Sequence, residues 1–148
     1  IIQRLFETVD PDRITWISIG SLRFPPEMKA KIVSKFPKTK IVYQELIKGN
    51  DGKMRYVKPL RLQLYRKVYD WIREYGDEDL FIYFCMENAE IWERIMGWSP
   101  DSNEHLDYLF AESLYNRFPE LMDEPPRREV YESSTPLHHE KAAGYMGI

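Results

Sequence analysis

Four cations sit on or just after one short reversal of the chain. Lys48, Lys53, Arg55 and Lys58 surround Gly49-Asn50-Asp51-Gly52, with Met54 and Tyr56 interleaved. Cations spaced along a ribbon neutralise successive phosphates, and an apolar or aromatic side chain between them can enter a base step. This is the chemistry of nucleic-acid contact, and it marks Lys53, Met54, Arg55, Tyr56 and Lys58 as candidate DNA-binding residues. With Arg61, Arg66 and Lys67 included, residues 48–67 hold seven basic side chains against Asp51 alone, a net +6. The alternative is a solvated hairpin whose lysines merely discourage edge-to-edge strand pairing.

A second group lies at the ends of two apolar runs. Gly20, Ser21 and Arg23 follow Ile14-Thr15-Trp16-Ile17-Ser18-Ile19, and Glu87 follows Leu80-Phe81-Ile82-Tyr83-Phe84-Cys85-Met86. In β-loop-α units ligands gather beyond the carboxyl ends of the strands, so these four residues are candidates for lining a substrate or cofactor cavity. The competing roles are a turn for Gly20 and Ser21, a surface ion pair for Arg23, and a cap or salt bridge for Glu87. Cys85, between Phe84 and Met86, reads as an inert core thiol rather than a nucleophile. The adjacent pair His138-His139 does not share a helix face as a metal site requires, and His105 reads as a surface residue. Glycine-rich phosphate loops, a nucleophile elbow and cysteine clusters are all absent from the sequence, so it assigns this chain no catalytic residue and no metal ligand.

The elements that must position these residues follow from periodicity. Two continuous apolar runs of strand length read as strands covered on both faces, and a parallel sheet is the setting that covers them. Asn50, Asp51 and the flanking glycines suit a tight reversal, giving a β-hairpin over residues 41–57. Met28, Ile32, Val33 and Phe36 form the apolar face of a helix opened by Pro26. Leu64, Val68, Trp71, Ile72 and Tyr75, with Tyr65 and Tyr69, form that of a long helix from Pro59 to Gly76. Asn88 and Gly97 bracket a short helix, and Ser99-Pro100-Asp101-Ser102 opens another that runs to Phe118. The expected organisation is therefore α/β: residues 1–98 carry the sheet and hairpin, 99–122 a C-terminal helix, and 123–148 a loosely ordered tail.

Charge divides along the same line. The chain of 148 residues has net charge −3, but residues 1–98 carry +3 and residues 99–148 carry −6. A polyanion would therefore meet the first part. One cysteine excludes an internal disulfide and fits an intracellular, cytoplasmic setting, and no apolar run reaches the length of a membrane span. The opening Ile1-Ile2-Gln3-Arg4, without an initiator methionine, reads as the interior of a longer protein.

Three stretches in order resemble the C-terminal half of the spore photoproduct lyase family: Trp16-Ile17-Ser18-Ile19-Gly20-Ser21-Leu22-Arg23-Phe24-Pro25-Pro26, Asp51-Gly52-Lys53-Met54-Arg55-Tyr56, and Cys85-Met86-Glu87 followed by Trp92-Glu93. The resemblance covers about residues 3–97. It implies a radical S-adenosylmethionine enzyme built on a partial (β/α) barrel, here the C-terminal part of an incomplete parallel barrel with an inserted hairpin and C-terminal helices. In that family a CxxxCxxC motif holds a 4Fe-4S cluster that cleaves S-adenosylmethionine to a 5′-deoxyadenosyl radical. The radical abstracts hydrogen from a thymine dimer in ultraviolet-damaged duplex DNA. A hairpin wedges where the lesion is flipped out, a role that falls on Lys53, Met54, Arg55 and Tyr56. The cluster motif and the hydrogen-donating cysteine belong to the N-terminal half of the barrel, and Cys85 corresponds to neither. The chain alone is thus expected to bind no cofactor, with the cluster and S-adenosylmethionine belonging to the complete protein. Two other readings stay open: a non-catalytic nucleic-acid-binding module, and an interaction domain whose hairpin meets the acidic helix of residues 101–112 in another copy.

Overall fold

The longest helix, α3 (Lys58–Tyr75), organises the packing. Pro59 lies in its first turn, where a missing N–H costs nothing, and the Gly76 N–H closes the other end on the Ile72 carbonyl. In this computed structural model, which describes residues 1–133, the buried positions of α3 are Arg61, Tyr65 and Ile72. That stripe differs from the expected one: Leu64, Trp71 and Tyr75 remain exposed, while Val68 and Tyr69 pack at the edge of the core. An apolar count finds Tyr65 and Ile72 but passes over Arg61, the third member of the inward stripe.

Strand β1 (Trp16–Ile19) pairs in parallel with β5 (Phe81–Phe84), in the register Trp16 with Phe81 and Ile19 with Phe84. The Cys85 N–H extends the ladder to the Ile19 carbonyl at 2.9 Å. Ile19, Ile82 and Phe84 pack with Tyr65 and Ile72 of α3 and with Ile91, Trp92 and Ile95 of α4 (Ala89–Met96). On the other face Phe110 meets Trp16, Phe81 and Tyr83 ring to ring, carried by α5 (Asn103–Arg117). Trp16 and Ser18 are nevertheless exposed, so β1 is not covered on both faces as its composition suggested.

The reversal forms a hairpin shorter than residues 41–57, with arms β3 (Leu46–Lys48) and β4 (Met54–Tyr56). Residues 41–44 instead make a turn in which Val42 is buried. Gly52 has a φ of 75°, the only positive φ in the reversal, and the Gly49 N–H donates to the Lys53 carbonyl at 2.8 Å. A third strand, β2 (Arg23–Phe24), pairs antiparallel with β4, giving the sheet order β2-β4-β3. The result is a mixed α/β chain: a small parallel sheet between helices, and a separate antiparallel hairpin sheet.

Three caps fall where the sequence placed them, whereas the helix expected to open at Pro26 starts at Met28. The Asn88 side chain accepts from the Ile91 N–H, Gly97 ends α4 with φ 81°, and the Ser102 side chain accepts from the His105 N–H. Two expectations fail. The helix α2 (Met28–Lys35) fully buries no residue: on its apolar face Ile32 and Val33 are half-buried, and Met28 and the following Phe36 are exposed. The described part of the expected loose tail, residues 123–133, contains a further helix, α6 (Arg128–Ser133), held on α5 by Tyr131 against Tyr108 and on the segment before α5 by an Arg128–Asp101 ion pair of 2.7 Å, while residues 134–148 lie outside the described residues. A lone short helix is marginal in water, and these contacts hold it. The pair His138-His139 lies outside the described residues.

Candidate functional site

Two polar constellations gather the candidates. The first is at the hairpin tip. Asp51 Oδ2 accepts from Arg23 Nε at 2.6 Å and from Arg55 Nη2 at 2.8 Å, while Oδ1 accepts from the Lys53 N–H at 3.2 Å. One carboxylate thus joins β2, the turn and β4. Partial burial pushes the Asp51 carboxyl up, but the Lys53 N–H and the two guanidinium groups outweigh it and hold it below its ordinary range. Gly49 fits this packing closely, since an added Cβ would stand 2.7 Å from Asp51 Oδ1 and 2.8 Å from Arg55 Nε.

The second constellation closes the carboxyl ends of the parallel strands. Glu87 is 4% exposed and Arg61 5% exposed, so both charges are inside the protein. Arg61 Nε stands 2.9 Å from Glu87 Oε1, Nη2 donates to Oε2 at 3.3 Å, and Nη1 donates to the Tyr56 carbonyl at 2.7 Å. The Tyr65 hydroxyl donates to Glu87 Oε1 at 2.8 Å and accepts from the Ser21 N–H at 2.9 Å. Burial, with the Glu87 charge beside it, pushes the Tyr65 phenol well above its ordinary range. Just before Glu87 the backbone turns at Met86 with φ 61°, a left-handed conformation that costs a non-glycine residue about 1 kcal/mol.

The candidates therefore divide differently from the way the sequence grouped them. Arg23, expected at the strand-end cavity, belongs to the hairpin clamp instead. Glu87 takes the salt-bridge role, and Ser21 contributes its backbone N–H. Gly20 is exposed, and a Cβ there would make only an ordinary 3.7 Å contact with Cys85. Cys85 itself is half-buried rather than a core thiol. His105 is also half-buried, its Nδ1 accepting from the Asp101 N–H at 3.1 Å.

On the ribbon, Lys53 is exposed and Met54 half-buried. The Tyr56 hydroxyl is already engaged, donating to the Ile41 carbonyl at 2.7 Å. Lys58 Nζ pairs with Glu90 Oε2 at 2.5 Å. Arg55, Lys58 and Arg61 each face a carboxylate, so the linear count of +6 overstates the charge offered to a polyanion. Lys48 and Lys53 are exposed and form no ion pair with the described residues.

Three residues that matter here escaped the sequence reading. Asp51 looked like a stray acid in a basic ribbon, although its position four residues before Arg55 across a tight turn was a usable signal. Arg61 and Tyr65 share a helical face with Ile72, but nothing local announces Glu87 as their partner. Among the described residues no group of three or more His, Cys, Asp or Glu is arranged to hold a metal ion, and none of the helices is long and apolar enough to cross a membrane. A CxxxCxxC cluster site needs three thiolates, and Cys85 is the one thiol in the sequence, so the residues present do not fit a 4Fe-4S cluster. Compared with family models, with curated proteins and with solved structures, the chain matches none.

Proposed function

We propose that this chain is the C-terminal part of a spore photoproduct lyase-like radical S-adenosylmethionine protein acting on ultraviolet-damaged duplex DNA, to which it contributes strands of an incomplete (β/α) barrel and a DNA-contacting hairpin. One observation carries the reading. Strand β2 follows β1 after Gly20-Ser21-Leu22 and pairs with β4, so the hairpin sheet is tethered at the carboxyl end of the parallel pair. That is the end at which barrel enzymes hold their substrates. Lys48 and Lys53 would take the phosphates, and the Asp51 clamp would keep the tip in shape. Met54 and Tyr56 would face a base step, Tyr56 by giving up its bond to Ile41. The cluster and S-adenosylmethionine would be held by the N-terminal half of the barrel.

Salt dependence tests the hairpin. The Lys48→Ala/Lys53→Ala pair is expected to weaken duplex binding at about 50 mM salt and to lower the slope of log affinity against log salt by about two. An unchanged slope takes the hairpin off the DNA surface. Catalysis is tested separately, by looking for CxxxCxxC in the coding sequence directly upstream.

A second reading, a nucleic-acid-binding module without the cluster-binding half, has its own support. Phe110 of α5 covers part of the sheet face opposite α3, the face that a barrel turns inward. Duplex binding by this chain with no CxxxCxxC partner would favour it.

A further inference from the structure

The helix α2 and the loop after it form an apolar groove of about 690 Å³, floored by Ile32, Phe36, Pro37 and Ile41 and rimmed by Lys35 and Lys38. Phe36 is 55% and Ile41 51% exposed, large values for side chains of this size. Residues 28–43 carry five lysines and no acid. None of the five forms an ion pair with a described residue, Lys35 lying instead over the Phe36 ring at 5.7 Å. Elsewhere the same chain carries the complementary surface. The turn Pro119–Leu121 holds Leu121 64% exposed, next to the half-buried Met122. Glu120, Asp123 and Glu124 around it are exposed and unpaired among the described residues. Among the described residues both surfaces lie open.

We propose that the lysine-rimmed groove at Ile32, Phe36 and Ile41 is a self-association site that receives Leu121, with Glu120 and Asp123, from a second copy of this chain. Burial of Leu121 supplies the affinity, and the opposed charges set register and approach rate. If each copy offers its groove to the other's leucine, the contact is made twice and the dimer closes.

Sedimentation of the whole chain tests this, at up to about 200 μM protein and at about 50 and 500 mM salt. A dimer is expected that weakens at the higher salt. Leu121→Asp should weaken it by at least about tenfold. The charge-reversed groove, Lys35→Glu/Lys38→Glu, and the charge-reversed turn, Glu120→Lys/Asp123→Lys, should each remain monomeric. Mixed one to one they should form a heterodimer, because each groove then faces a turn of opposite sign. Rescue on mixing separates a lost contact from a lost fold. A chain that stays monomeric at low salt overturns the proposal, whether or not it binds anionic vesicles. So does a dimer indifferent to Leu121→Asp, or a pair of variants that fails to associate on mixing.

Discussion

Two of the arginine–carboxylate groups in the molecule sit in contrasting surroundings. Arg61 and Glu87 are buried beneath the ends of β1 and β5, whereas Arg23, Asp51 and Arg55 meet at the partly open hairpin tip, where Asp51 retains 25% side-chain exposure. Inside, the charges have given up water, and hydrogen bonds from Tyr65 to Glu87 and from Arg61 to the Tyr56 carbonyl offset part of that loss. At the tip solvent screens the attraction, and the clamp shapes the turn more than it stabilises the fold. The inner pair therefore ties the two sheets together through α3, while the outer one governs how the ribbon is presented.

Breaking each pair should expose that difference. The largest effect is expected from Glu87→Ala, which strands the Arg61 charge in the core and should cost about 3–5 kcal/mol in chemical denaturation. The double replacement Arg61→Met/Glu87→Leu should be less destabilised than Glu87→Ala, since it removes both charges. A loss equal to or greater than the single variant's would mean that the pair contributes net stability. Tyr65→Phe leaves the Ser21 N–H without its acceptor and removes one donor to Glu87, an expected loss of about 1–3 kcal/mol by the same measurement.

At the tip, Asp51→Asn should change global stability by no more than about 1 kcal/mol, yet speed amide exchange at Gly49, Gly52 and Lys53. Global destabilisation as large as that of Glu87→Ala would erase the contrast. The pH dependence is smaller still and has a definite sign. Asp51 is held below its ordinary value of 3.8, so the clamp's contribution is complete above that pH. It fades as pH falls through the lower folded-state value. Amide exchange at Lys53, followed from about pH 5 downward and corrected for the intrinsic rate, reads this window.

Much of the local structure was legible in the residues. Asn88, Gly97 and Ser102 marked helix ends because capping is a local transaction between a side chain and the nearest N–H groups. The hairpin announced itself through Gly49-Asn50-Asp51-Gly52, and the apolar run around Ile82 through its composition. Less of the candidate site was visible. Arg55, Lys58 and Arg61 counted as free cations along the chain, because a linear charge sum cannot contain Asp51 across a turn or Glu90 and Glu87 in distant segments.

By itself the sequence determined most of the longer elements, several cap positions, the lone thiol and the acidic bias of residues 99–148, all properties set within a few residues or by composition. Only the tertiary structure decided that Arg61 belongs to the core, that Arg23 serves the hairpin, and that α2 leaves part of its apolar face open. The physical reason is the same in each case. Burial of a charge, pairing across a turn and coverage of a helix face depend on which distant surface arrives opposite, and periodicity records only which face is ready to receive it.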